Sequence, residues 1–278
     1  MKINNREKKA AVKGQIVMIL LVLLFAYPFL YMVSTSFKSM TEIFSGGLNL
    51  IPDNPTLENY RKVFTSLPVA SYLTNSFIIA FIAMVCKIVT SVLASYALVF
   101  MDFKGKDALF YFFTLTMFVP FTVIILPNYL TINRMGLLST LVGVALPQMA
   151  DAMGIFRIRQ AMRTVPKSLV EAARLDKVGH FTAMTRIVIP LVKPAISAMC
   201  IFFFINSWNE YFWPLLILKS NTMSTITLAL QQFTSGESGN AWGSSMALAT
   251  IATAIPLVLY LIFQRYIIGT FMSAGIKE

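Results

Sequence analysis

The sequence predicts an all-α fold: a polytopic membrane protein of six transmembrane helices with a charged loop on the cytoplasmic side. Three observations carry this expectation. Hydrophobic residues make up 57% of the 278 positions and mean hydropathy is +0.71, outside the range of ordinary soluble domains. Charged residues are only 13%, and they are clumped between apolar runs long enough to cross a bilayer. The basic residues are shared unevenly between alternate loops, which sets an orientation.

The first run, Gln15–Phe37, follows a basic stretch carrying Lys2, Arg6, Lys8, Lys9 and Lys13. It is longer than the apolar core of a signal peptide and reads as an uncleaved first helix. Lys38–Ala70 is a polar connection in which Gly46, Gly47, Pro52, Pro55 and Pro68 argue against long helices. The second run is Tyr72–Phe100, and Asp102–Asp107 forms a charged turn. The third, Ala108–Leu130, contains Pro120 and Pro127, and the fourth, Leu137–Gln160, contains Pro147. Prolines inside membrane helices often mark bends that line a cavity. A fifth run, Ala195–Leu218, and a polar outer loop, Lys219–Trp242, precede the sixth, Gly243–Ile268. Residues 1–278 are thus expected to form a single transmembrane domain.

Counting Lys and Arg, the N-terminus, the 102–107 turn, the loop before the fifth run and the C-terminus hold 17. The opposite loops hold 5, namely Lys38, Arg61, Lys62, Arg134 and Lys219. The positive-inside rule places both termini and the large charged loop in the cytoplasm. This asymmetry also explains the net charge of +11 without a nucleic-acid partner. Cys86 and Cys200 lie inside apolar runs and read as small buried hydrophobes. His180, the single histidine, reads as solvated. No Walker motif, H-E-x-x-H or nucleophile elbow occurs, so the chain is expected to be no enzyme and to bind no cofactor or metal of its own.

Two places stand out. The loop at about 163–194 contains Leu169–Pro194, where Ser168 and Glu171 fit a capping box opening a short helix. Ala172 and Ala173 would give that helix a smooth face for another protein's backbone. Gly179 offers a break, a second short helix follows, and Pro190 and Pro194 stop the pattern. The second place is the set of charges inside apolar runs, Lys87, Asp151 and Glu210, which are costly in lipid unless paired or hydrated. Lys87 and Asp151 lie at similar depth and suit a structural ion pair between the second and fourth spans. Asn206, Asn209, Glu210 and Trp213 share one helical face, with Trp208 beside them. Amides, a carboxylate and aromatic rings on one stripe would grip a polyhydroxylated ligand. The same stripe also suits an interfacial aromatic belt with polar groups gluing helices together.

Glu171-Ala172-Ala173, followed by Ile187 and Pro190, resembles the EAA loop of ABC-importer membrane subunits. Trp208-Asn209-Glu210 with Pro214-Leu215-Leu216, the segment Pro55–Tyr60, and the ending Gln264–Gly269 with Gly275 and Lys277 resemble the maltose-transport-type permease family. The wording around Trp208 is also similar to its glycerol-3-phosphate branch. The resemblance implies a permease subunit of a binding-protein-dependent carbohydrate importer in the plasma membrane. Its implied partners are a second homologous permease, a cytoplasmic ABC ATPase dimer that binds ATP and Mg²⁺, and an extracytoplasmic solute-binding protein. The coupling residues it implies are Glu171, Ala172, Ala173, Leu175, Asp176 and Gly179. The family's usual loop glycine falls at Lys177, with Gly179 two residues later, so the turn after the coupling helix is expected to be displaced. A glycerol-3-phosphate importer and an ion-coupled secondary transporter using Asp151 and Glu210 are the alternatives.

Overall fold

The computed structural model describes the backbone of residues 5–45, 49–219, 223–235 and 241–275. Helices make up every regular element among them: α1 Asn5–Ser36, α2 Met40–Ser45, α3 Glu58–Ser66, α4 Val69–Phe100, α5 Lys106–Thr116, α6 Phe121–Arg134, α7 Leu141–Ala145 and α8 Ala152–Met162. They continue with α9 Lys167–Leu175, α10 His180–Ala183, α11 Ile189–Asn209, α12 Phe212–Ile217, α13 Ile226–Ser235 and α14 Trp242–Gly275. A 3₁₀ turn, Leu146–Gln148, follows α7, and a π turn, Met184–Val188, joins α10 to α11.

Among the described residues, four helices are long and apolar enough to cross a membrane: Val12–Ser36, Val69–Phe100, His180–Asn209 and Trp242–Gln264. The third and fourth apolar runs are bent rather than straight. α5 and α6 meet at 98°, and Leu141–Gln148 meets Ala152–Met162 at 47°. The described residues thus hold 4 candidate spans, or up to 6 if each bent pair counts as one. Pro120 at the start of α6 supplies the first break, because its ring fixes φ at −62° with an extended ψ of 139°.

Three further expectations change. Pro190 and Pro194 do not end the helix, which runs unbroken from His180 to Asn209. The π turn ahead of Pro190 shifts hydrogen bonding toward i→i+5, so the missing N–H costs little there. The fifth run stops early instead, at Asn209, where Glu210 takes extended backbone at ψ 124°. The outer loop after Lys219 also contains a helix, α13. The Gly46-Gly47 pair and the side chains of the C-terminal motif from Arg265 onward lie outside the described residues.

The chain divides into two compact units, residues 1–69 with 230–254 and residues 70–229 with 255–278. In the first, the Pro55–Tyr60 segment fastens the end of α1. Asn59, buried, donates from Nδ2 to the carbonyls of Ser36 (3.0 Å) and Lys38 (2.8 Å). The Ser36 carbonyl is one that the helix end leaves open. Tyr60 Oη lies 2.8 Å from Ser36 Oγ, and its ring packs on Phe37. Gly243 leaves the room: a β-carbon there would stand 2.5 Å from the Asn59 amide. Lys38 is buried as well, its ammonium donating to the Asn49 carbonyl. In the second unit one apolar cluster joins α4 (Val92, Tyr96, Val99), α8 (Ile158, Met162), α9 (Val170) and α11 (Val192, Met199, Phe203).

Candidate functional site

The helix singled out in the charged loop forms, but its start differs from the expectation. α9 begins at Lys167 behind Pro166, with no side-chain cap, so Ser168 and Glu171 do not make a capping box. Proline suits this place because the first turn needs no N–H from it. The helix ends in a Schellman pair: Val178 N–H donates to Ala173 O (2.9 Å) and Lys177 N–H to Arg174 O (3.0 Å). Lys177 takes the left-handed conformation at φ 59°. The turn is therefore not displaced to Gly179, which instead caps α10 from extended backbone at φ −67°, ψ 155°. Lysine does here what glycine does more cheaply.

Helical phase separates the two alanines. Val170 and Ala173 are buried, whereas Glu171, Ala172, Arg174 and Asp176 are exposed. The smooth outward face is thus Ala172 alone, and Ala173 packs inward. Leu175 is 85% exposed and Phe181 is 72% exposed. In the same loop Arg163, Lys167, Arg174, Lys177 and Arg186 are all exposed. His180 is less solvated than expected, lying half-buried with Nδ1 3.3 Å from Tyr96 Oη.

The charges inside the apolar runs converge elsewhere. Lys87, Asp151 and Glu210 line one cavity of about 220 Å³, with Asn128, Gln148 and Trp213. Neither carboxylate stands mid-helix. Asp151 is the N-cap of α8, its Oδ1 accepting from Gly154 N–H at 2.7 Å. Glu210 sits in the break before α12, its Oε1 accepting from Phe212 N–H (2.9 Å) and Trp213 N–H (3.2 Å). Each answers amide groups that a helix start leaves open and the positive end of its dipole. Lys87 and Asp151 line the same cavity, but the expected ion pair between them is not formed. Among the described residues the ion pairs within 4.0 Å are Lys62–Glu58 and Lys106–Asp102, and the Lys87 ammonium faces the Phe203 ring at 5.4 Å.

Of the predicted stripe, the break after Asn209 leaves only Glu210 and Trp213 on the cavity wall. Trp213 is buried, and its indole N–H donates to Val144 O at 3.2 Å. Trp208 is buried and stacked on Phe204, while Asn206 and Asn209 are exposed away from the cavity lining. Asn128 and Gln148 are lining residues that the stripe did not include. Each follows a proline, Pro127 or Pro147, inside an apolar run. A polar residue directly after an intramembrane proline was the available signal.

Residues 87–270 match the family of binding-protein-dependent transport system inner membrane components. The chain belongs to that family. It is 32% identical over 263 residues to the sn-glycerol-3-phosphate transport system permease protein UgpE of Brucella melitensis, covering 92% of this chain and 93% of the relative. It is likewise 32% identical over 255 residues to the arabinooligosaccharides transport system permease protein AraQ of Halalkalibacterium halodurans, covering 90% and 91%. A bacterial ABC transporter that imports the acidic polysaccharide alginate has the same fold, with a TM-score of 0.83 at 20% identity over 96% of this chain and 99% of that one. A second bacterial alginate transporter structure, in complex with an alginate-pentasaccharide-bound periplasmic protein, aligns at a TM-score of 0.64 and 11% identity. The chain is therefore a membrane subunit of a binding-protein-dependent transport system.

Proposed function

We propose that this permease is one of two membrane subunits of a carbohydrate importer, and that it transmits ATP-driven motion from a cytoplasmic ATPase dimer to a solute path. It acts as one six-span transmembrane domain in the plasma membrane, each bent helix pair counting as a span, with both termini and α9 in the cytoplasm. ATP and Mg²⁺ belong to the ATPase, and an extracytoplasmic binding protein delivers the solute. The relatives support this class of cargo, since the two named above carry a polyol phosphate and an oligosaccharide.

One observation carries the coupling role. α9 is rooted, through Val170, in the same apolar cluster that holds α4, α8 and α11, and that cluster reaches Phe203, whose ring faces Lys87 at the cavity. Closely packed interiors pass displacement on rather than absorb it. A push on the exposed tip at Leu175 therefore moves the helices around the cavity, and solute release becomes a shift between inward- and outward-open populations.

The test is Leu175→Asp and Glu171→Lys in the assembled importer in proteoliposomes. Both side chains point outward, so the variant subunits should insert and pair with the second permease. The ATPase should dissociate, or hydrolyse ATP without solute uptake. Near-normal uptake by both variants would overturn the coupling role, and uptake driven by an ion gradient without ATP would replace it with secondary transport.

A further inference from the structure

The charge of the cavity wall bears on what it can hold. Lys87 is the cation and Asp151 and Glu210 are the anions among its lining residues, leaving a formal charge of −1. The two carboxylates each use one oxygen on backbone N–H groups. Among the described residues no hydrogen bond occupies Asp151 Oδ2 or Glu210 Oε2, nor the side-chain amide of Asn128. The Lys87 side chain is only 9% exposed, and among the described residues its ammonium has an aromatic ring beside it but no acceptor. Gln148 is already committed, donating to Val144 O at 3.2 Å and accepting from Ser207 Oγ at 2.7 Å.

What remains open is a ring of donors (Lys87, Asn128) and acceptors (Asn128, Asp151, Glu210) around a small space. Asn128, Asp151 and Glu210 are half-buried, but Lys87 is buried, and an ammonium buried without an acceptor is costly, so such a wall favours an occupant that accepts from Lys87 and bonds the open oxygens and amide as well. Hydroxyl groups both donate and accept, and a polyol can answer all of these groups at once. An anion would answer Lys87 but bring a third negative charge beside two carboxylates. A cation would answer the carboxylates but stand against the buried ammonium. At about 220 Å³ the space is below the roughly 300–1,000 Å³ of drug-sized pockets, and so suits one sugar ring or a short polyol.

We infer that the cavity lined by Lys87, Asn128, Asp151 and Glu210 is a binding subsite for a single uncharged polyhydroxylated unit, and that it rejects acidic and phosphorylated ones. The inference rests on the importer reading above and narrows its substrate class. It separates this chain from relatives named for sn-glycerol-3-phosphate.

The experiment measures occupancy and needs neither ATP nor the binding protein. Ile124, which lines the same cavity through an apolar side chain, is changed to cysteine in the full-length chain with Cys86 and Cys200 replaced by alanine. Its alkylation by a small water-soluble maleimide is timed in the assembled importer with glucose, glucuronate or glucosamine present. These probes are alike in size and differ in charge. With glucose at about twice its dissociation constant, mass action slows labelling about threefold, while glucuronate and glucosamine at the same concentration leave the rate unchanged. In the Asp151→Asn, Glu210→Gln background the wall carries a charge of +1 and both amides keep a capping oxygen. There glucuronate should protect and glucose should keep some effect. Protection by glucuronate in the unaltered wall, stronger protection by glucosamine than by glucose, or no protection by glucose would each overturn the inference. Because labelling does not depend on transport, any of these leaves the importer reading to its own test.

Discussion

Gly154→Ala tests whether the broken fourth span sits where close packing puts it. Gly154 lies in the first turn of α8, two residues before Phe156 and three after the cap Asp151. A β-carbon built there would stand 2.5 Å from Phe203 Cζ and 2.5 Å from Ser91 Oγ. Phe203 is 1% exposed and Ser91 is fully buried, so neither can swing into lipid or water. Overpacking of this kind costs roughly 1–3 kcal/mol. The better helix propensity of alanine returns up to about 1 kcal/mol, less in a first turn than in a helix interior. The net loss is therefore about 1–2 kcal/mol, or about 2–4 °C in melting temperature for a chain of this size. Thermal unfolding of the purified permease in detergent, followed by loss of monodisperse protein on size exclusion, measures it. Phe203→Leu removes the ring from under the new methyl, so Gly154→Ala should cost less in that background than in the unaltered chain. Additive effects in that double-mutant cycle, or an unchanged melting temperature for Gly154→Ala alone, would refute the close approach of α8 to α4 and α11.

Lys177→Gly should stabilise the chain by about 1 kcal/mol, since a left-handed residue with a β-carbon costs about 1–2 kcal/mol and the greater chain entropy of glycine takes part of that back; a lower melting temperature would contradict the Schellman turn. Asn59→Ala should cost about 1–3 kcal/mol, because it leaves the carbonyls of Ser36 and Lys38 buried without their donor, and protease cleavage between α1 and α3 should rise with it. Asp151→Ala should cost about 1 kcal/mol while Asp151→Asn costs a few tenths; equal losses in thermal unfolding would argue that charge, not capping, holds Asp151.

The helical class, the membrane environment and the apolar runs behind the long helices were legible in the sequence, because they depend on composition and run length along one dimension. The resemblance to the EAA loop picks out Leu175 and Glu171, and both are exposed on α9. What the hydropathy of residues 108–130 does not contain is an angle: Pro120 marks a break, but only the packing of α5 on α8 fixes a bend of 98°. Pro190 and Pro194 misled in the other direction. The π turn ahead of Pro190 absorbs its missing N–H, and hydrogen-bond register is not written in residue type.

The same division runs through the candidate site. Residue type gives Ala172 and Ala173 one small, smooth face, yet the phase of α9 against the Val170 cluster turned one outward and one inward. Sequence alone identified Lys87, Asp151 and Glu210 as charges that lipid would not tolerate, and that judgement is purely a matter of solvation energy. It cast the acids as members of pairs or stripes inside continuous helices. Tertiary structure broke both helices beside them, and their oxygens went to the exposed amides at α8 and α12. Burial cost is a property of the residue and can be read from its letter. Which partner repays that cost depends on where the chain bends, and bends are decided by neighbours far away in sequence.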